Sequence, residues 1–388
     1  MAVSDPAAYL DNAATTPVLP EVAEAMLFVM TGVGFANPSA VHRWGLEARG
    51  AVEGARRAVA GALGAPAEAL TFTSGGTESN HLAVAGLCRA RVRAGRHLVT
   101  TAIEHPSLLA ACAALEAQGW AVTRLPVGPD GRVSAAAVRG ALRPDTVLCA
   151  LAHVNNEVGT VQPVADIARL LAGTGVALHV DGVQALGKVP TPYQAWGVAL
   201  AALSAHKIGG PKGAGALFVR RGTRLAPAVA GEQEGGLRPG TENVPGIVGF
   251  GRAAGLCARW APGLRALKER LWAGLAAALP GLAPNGPDPA DPETSAPHIL
   301  NIDFSGVTSL PAEPLLHALE AVGVACSAGS ACTARRREPS HVLAALGLGP
   351  AGLAASLRFS LGPRTDAAEV QAAIERIPAA LAGLGGGR

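Results

Sequence analysis

The sequence predicts an α/β protein with a mostly parallel sheet in a large domain and a smaller α+β domain at the C-terminal end. Three observations predict it. From about residue 70, short β-rich runs alternate with alanine-rich stretches of helical length, the pattern of parallel α/β sheets. Polar, glycine-containing clusters directly follow those runs, and open parallel sheets bind ligands beyond the carboxyl ends of their strands. Over residues 262–290 a helix and then a Pro/Gly/Asp-rich connector interrupt the alternation and mark the passage into a second domain.

The elements follow in order. "ALTFTS" (69–74) reads as a strand and "TESNHLAVAGLCRARVRAG" as the helix after it. "HLVTT" (97–101) is the next strand, followed by a helix through "PSLLAACAALEAQG". Then come the strand "AVTRL", a helix near 134–142, the strand "TVLCALAHV" (146–154), a helix near 164–173 and the strand "VALHVD" (176–181). "ALAALSAH" and "GALFVR" close the series. The expected division is residues 16–260 for the large domain, with 1–15 and 261–388 forming the small one.

Composition narrows the class. A chain of 388 residues supports a sizeable core and two domains. Hydrophobic residues make up 49% and charged residues 16%, which excludes a disordered chain. No apolar run approaches the roughly 18 residues of a membrane span. The N-terminus has neither a basic start nor an apolar signal core, so a cytoplasmic location is expected. A net charge of +3 with 4% aromatics argues against nucleic acid as a partner. The six cysteines contain no C-x-x-C, so reduced thiols are expected and a structural zinc is not.

Five clusters carry the chemistry. "TFTSGGTESN" is a strand, a glycine turn and a helix start, where Gly75, Gly76 and the amides around Thr77 make an anion site. A bare turn and cap reads the same way. "ALSAHKIGGPKG" sets Ser204, His206 and Lys207 just past a strand. A lysine there can trap an aldehyde as a Schiff base while its neighbours hold a phosphate. The alternative is an exposed surface lysine, but the chain has only Lys188, Lys207, Lys212 and Lys268, and two of them fall here. "HVDGVQ" puts His179 and Asp181 on one strand face. A metal pair is one reading. The other is a carboxylate that keeps a ring nitrogen protonated, with Gln184 bonding the same ring. "EHPS" offers His105 to stack on a ring, and "HVNNEVG" offers the amides of Asn155 and Asn156. Each piece alone is ordinary structure. Together, after successive strands, they specify pyridoxal phosphate.

The same residues carry a resemblance along nearly the whole chain. "YLDNAATTP", "NPSAVHRWG", "TSGGTESN", "EHPSLL", "NNEVGTVQP", "HVDGVQALGK", "SAHKIGGPKGAGAL", "RPGTENVPGIVGFG", "SAGSACT" and "RFSLG" stand in the order found in cysteine desulfurases of the nitrogen-fixation and iron–sulfur-assembly type. These are class V aminotransferase-fold enzymes, so the resemblance implies PLP-dependent transferase fold type I. It further implies that Lys207 binds the cofactor aldehyde, Asp181 the ring nitrogen and Gln184 the ring oxygen, while His105 stacks on the ring. Gly76, Thr77, Ser204 and His206 would surround the phosphate. Thr241 would reach a phosphate in a partner subunit, which implies a homodimer. Arg358 would clamp the carboxylate of L-cysteine with help from Asn156, as the arginine fork bonds both oxygens.

The resemblance also sorts the two cysteines of "CSAGSACT". Cys332 would be the thiol that takes the substrate's sulfur as a persulfide, leaving alanine, before passing it to an acceptor protein. Cys326 reads as packing. Arg335, Arg336 and Arg337 follow Cys332 as a charged loop tip or as a field favouring the thiolate. Ala36 and Gly182 replace a usual glycine and a common alanine, and "AGEQEGGLRPGT" differs from the usual pattern at a turn expected near the active site. Competing readings are a selenocysteine lyase, a class V aminotransferase or C–S lyase, and a non-catalytic protein of the same fold. The last predicts a broken lysine, aspartate or cysteine, and all three are intact.

Overall fold

The computed structural model describes residues 6–32, 34–329 and 339–385. Its strands are β1 (Ala8–Tyr9), β2 (Leu70–Thr73), β3 (His97–Thr101), β4 (Ala121–Leu125), β5 (Thr146–Ala152) and β6 (Ala177–Asp181). They continue with β7 (Leu200–Ser204), β8 (Gly215–Val219), β9 (Ala283–Pro284), β10 (Ile299–Asp303), β11 (Val324–Ala325) and β12 (Ser356–Ser360). Seven of them form one sheet in the order β2-β8-β7-β6-β5-β3-β4. Neighbours from β4 to β7 are parallel, and β8 runs antiparallel to both β7 and β2. The α/β class with a mostly parallel sheet is borne out. β5, β6 and β7 are buried along their whole length, as strands of a sheet covered on both faces are.

The helix Gly76–Ala90 packs against β7, β8 and the helix Pro106–Glu116. It stops five residues short of the expected end. The Arg91 amide donates back to the carbonyls of Leu87 and Cys88, and the chain then turns to begin β3. The turn brings Gly95 so close to Asp145 that a Cβ there would lie 2.0 Å from its carbonyl oxygen. That approach, with the His97 amide donating to the Asp145 carbonyl at 3.2 Å, sets the connection between the helix and β3 against a residue fifty positions away.

Beyond the large sheet, β10 pairs antiparallel with β12 and β9, and β1 pairs parallel with β11. Phe72, Val180, Phe218 and Phe250 belong to the core beside the large sheet. A separate core gathers Ala8 and Leu10 with Leu271, Leu275, Phe304 and Phe359, so the start of the chain packs with its C-terminal third.

Gly182 follows β6 directly, and the fold gives the reason for a glycine there. A Cβ would sit 2.8 Å from the Tyr193 hydroxyl and 3.2 Å from the Ala202 carbonyl oxygen. Tyr193 is fully buried, and its hydroxyl lies 3.0 Å from His153 Nδ1. Gly182→Ala is therefore expected to cost about 1–3 kcal/mol by overpacking. Tyr193→Leu in the same chain should recover most of that loss in chemical denaturation. Purely additive losses would show that the hydroxyl is not what excludes alanine.

Candidate active site

A cavity of about 250 Å³ opens beyond the carboxyl ends of β5, β6 and β7 and reaches β12. Gly76, Thr77, His105, Asn156, Asp181, Gln184, Ser204, His206, Lys207 and Arg358 all line it. Of the residues expected at the site, Thr241 is exposed and lines no part of this cavity. Cys332, Arg335, Arg336 and Arg337 lie outside the described residues. A wider open groove of about 630 Å³ is lined instead by Arg49, Arg56 and Glu234 among others, and holds none of the expected groups. The stretch "AGEQEGGLRPGT" contributes to that groove and not to the cavity of its own chain.

Lys207 ends the short turn Ala205–Lys207 that follows β7. Its Nζ donates to the carbonyls of Ala13 at 2.7 Å and Ala14 at 2.6 Å. These acceptors come from the other end of the chain and carry no side-chain signature, so sequence reading missed them. The amine is thus held at the cavity by an N-terminal segment whose own turn is tied to the sheet through Thr16 and His206.

The buried carboxylate of Asp181 accepts from Asn80 Nδ2 at 2.7 Å and from the Val183 amide at 3.1 Å. Asn80 also donates to Ser107 Oγ at 3.1 Å, and its own oxygen lies 2.9 Å from His179 Nε2. Burial pulls His179 down to about 4, so the ring is neutral and donates to Asn80. His179 and Asp181 do share a face, as expected, but they meet through Asn80 and not through a metal ligand set. Ser107 Oγ is 2.7 Å from His105 Nδ1, which also accepts from the Ser107 amide. With Nδ1 accepting, a neutral His105 carries its proton on Nε2. Burial lowers the His105 pKa, with Asp181 opposing and Lys207 assisting the shift. Asn80 is therefore the hub between the carboxylate and the imidazole. Its place in "TESN", one helical turn past Gly76, was the available signal.

Glu104 lies beneath this loop, 1% exposed, and burial pushes it up to about 8. Thr101 Oγ1 and the Ala152 amide reach its two oxygens.

The anion site forms where β2 meets the helix Gly76–Ala90. Gly75 adopts φ 151°, a conformation that favours glycine, and no side chain caps the first turn. Ser204 Oγ is buried beside these glycines and has no hydrogen-bond partner among the described residues. Burial, and then Lys207, Lys212 and Lys188, push His206 down to about 3. The same positive field that disfavours an imidazolium favours an anion. An uncapped helix start, an unpartnered buried hydroxyl and three nearby lysines fit a phosphate. Asp181 across the cavity fits a protonated ring nitrogen. The residues present thus suit pyridoxal phosphate.

Arg358, 1% exposed on β12, points its guanidinium into the same space. Nη1 donates to the Asn156 carbonyl at 2.9 Å and Nη2 to Asp11 Oδ1 at 2.8 Å, while Nε has no partner among the described residues. Asn155 shapes that loop by accepting from the amides of Glu157 and Val158, which leaves Asn156 at the cavity. Cys326 packs against the core around Phe359, and burial followed by Asp11 pushes its thiol pKa up. That agrees with a packing role and not a reactive one.

Comparison with known proteins follows from this geometry. The family model described as Aminotransferase class-V matches residues 8–373. A protein named Cysteine desulfurase IscS from Methanosarcina thermophila is 41% identical over 377 residues, spanning 96% of this chain and 91% of the relative. Among solved structures, one described as NifS-like protein superposes with a TM-score of 0.88 at 32% identity, covering 97% of this chain and 99% of that one. Another, described as SspA in complex with cysteine, gives a TM-score of 0.81 at 35% identity, covering 92% and 100%.

Proposed function

The chain belongs to the class-V aminotransferase family, and on that premise we propose that it is a pyridoxal 5′-phosphate-dependent cysteine desulfurase. The observation that carries this reading is the convergence of a lysine amine, a buried carboxylate, an arginine fork and an uncapped helix start on one cavity. Pyridoxal phosphate, when bound, supplies an aldehyde that captures amines and a protonated ring that draws electrons from the substrate's α-carbon.

The chain's own residues do the rest. Gly76, Thr77, Ser204 and His206 bind the phosphate, and Asp181 keeps the ring nitrogen protonated. Gln184 donates to the ring oxygen and His105 stacks on the ring with its Nε2 proton toward the cavity. Arg358, with Asn156, binds the carboxylate of L-cysteine through donors that Asp11 and the Asn156 carbonyl leave unused. Lys207 removes the α-proton. The Cys332 thiolate then attacks the substrate's γ-sulfur: the C–S bond breaks, an S–S bond forms on Cys332, and protonation of the remaining carbon yields L-alanine. One L-cysteine and one thiol thus become one L-alanine and one persulfide, and an acceptor protein takes the sulfur.

We also read the chain as a homodimer. Leu27, Phe28, Met30, Phe35 and Val41 are exposed apolar side chains near one another in sequence, more than a lone monomer surface calls for. Thr241, exposed just before the helix Val244–Trp260 that packs on the helix Pro20–Thr31, is suited to reach a second copy's phosphate. The two separate cores support a division near residues 15 and 260. No described helix is long and apolar enough to cross a membrane, and a cytoplasmic location is the reading that accompanies it.

The test adds L-cysteine to purified protein with pyridoxal phosphate and a reductant. Alanine and sulfide are expected in equal amounts, and Cys332→Ala should lose both while keeping the cofactor's visible absorption. If the variant turns over as fast as the parent, a C–S lyase mechanism that needs no protein thiol replaces this one.

A further inference from the structure

The carboxamide of Gln184 is buried, and its two ends face different neighbours. Oε1 lies 3.3 Å from Lys188 Nζ and 3.3 Å from His298 Nε2, while Nε2 donates to the Ala13 carbonyl at 2.9 Å. That carbonyl is also one of the two that accept from Lys207 Nζ. Lys188 comes from the same turn as Gln184, and His298 from the loop before β10.

The donors decide which way the amide points. A lysine Nζ donates here whether or not it is charged, so it calls for the oxygen end. His298 is 1% exposed, and burial followed by Lys188, Lys268 and Arg358 holds its pKa well below the usual value. A neutral imidazole has one N–H, and the contact with Gln184 puts it on Nε2; Nδ1 has no partner among the described residues. Turning the amide over would set its NH2 against the lysine donor and its oxygen against the Ala13 oxygen, losing both of those bonds and forcing His298 to the other tautomer.

We infer that Lys188 and His298 are positioning residues: by holding the Gln184 oxygen they turn its Nε2 toward the cavity as a donor to the cofactor's ring oxygen, beside the Lys207 amine. This rests on the cofactor reading above. Burial and then the Lys207 charge pull Lys188 down to about 7, with Cys257 of the helix Val244–Trp260 opposing. The charged and titratable groups around the pair are thus Lys207, Cys257, Lys268 and Arg358.

A donor to the ring oxygen stabilises negative charge there and lowers the pH at which the enzyme-bound cofactor's visible band changes. Lys188→Met and Gln184→Leu are each expected to raise that midpoint by about half a pH unit or more. His298→Asn, too short to reach, should shift it the same way. The double variant Lys188→Met with Gln184→Leu should shift no further than Gln184→Leu alone, because both act through one amide. Titration of the apoprotein with pyridoxal phosphate should show weaker binding in all of them, with unchanged far-ultraviolet circular dichroism as the check on folding. Additive shifts would mean that Lys188 acts by charge alone and would overturn the inference, as would no shift in Lys188→Met. A parent protein with no visible band in the presence of pyridoxal phosphate would instead remove the cofactor reading, and the inference with it.

Discussion

Lys207→Ala is expected to reduce alanine formation on the order of 10⁴-fold or more, since on the proposed mechanism it removes both the covalent anchor and the proton-transfer group. No other amine can take over. Lys212 is exposed in the following turn, Lys188 lies behind Gln184, and Lys268 is fully buried against Ser295 and Ala296. The uncapped helix start, the Ser204 hydroxyl and two of the three nearby lysines remain, so the variant should still bind pyridoxal phosphate, now released by gel filtration. The measurement pairs turnover with the exchange of the α-proton of L-alanine into deuterated water, a step that on the proposed mechanism needs Lys207 but not Cys332. Exchange within tenfold of the parent would show that another group moves the proton. Loss of turnover with exchange intact would place the fault at sulfur transfer.

Asp181→Asn is expected to lower kcat on the order of 10²–10³-fold while cofactor and fold are retained. The amide fills the same volume, and its oxygen can still accept from Asn80 or from the Val183 amide. What it lacks is the charge that keeps a pyridine nitrogen protonated. The Asn80 Nδ2 bond, at 2.7 Å, orients the carboxylate that Asp181→Asn would neutralise. The variant should respond to L-cysteine by a spectral change, because amine capture does not need the ring proton, yet turn over slowly at every pH. A kcat near that of the parent would show that Asp181 does not serve the ring. Spectral change without turnover separates this variant from Lys207→Ala, in which capture itself is impaired.

The parts legible in the sequence were those with local signatures. The runs 97–101 and 121–125 begin and end as strands where they were expected, because β-rich composition and flanking turns act over a few residues. Lys207, Asp181, Gln184 and Ser204 stood out because residue type, position after a strand and glycine neighbours all agreed. The groups that set their state did not stand out. Asn80 reaches Asp181 across 101 positions, and the carbonyls of Ala13 and Ala14 hold Lys207 from nearly two hundred positions away. A backbone carbonyl has no residue type to read. Lys188 and His298 carried no signal in the sequence; the fold placed both on one amide oxygen.

The sequence by itself determined the alternation that builds a mostly parallel sheet, the order of the polar clusters at its strand ends and the kinds of chemical group available there. The tertiary structure alone decided which of those groups meet, which way their amides turn and where their protons reside. The reason is physical: a strand or turn depends on contacts a few residues apart, whereas the pKa of His206 or His179 depends on desolvation and on charges brought close only when the chain has folded.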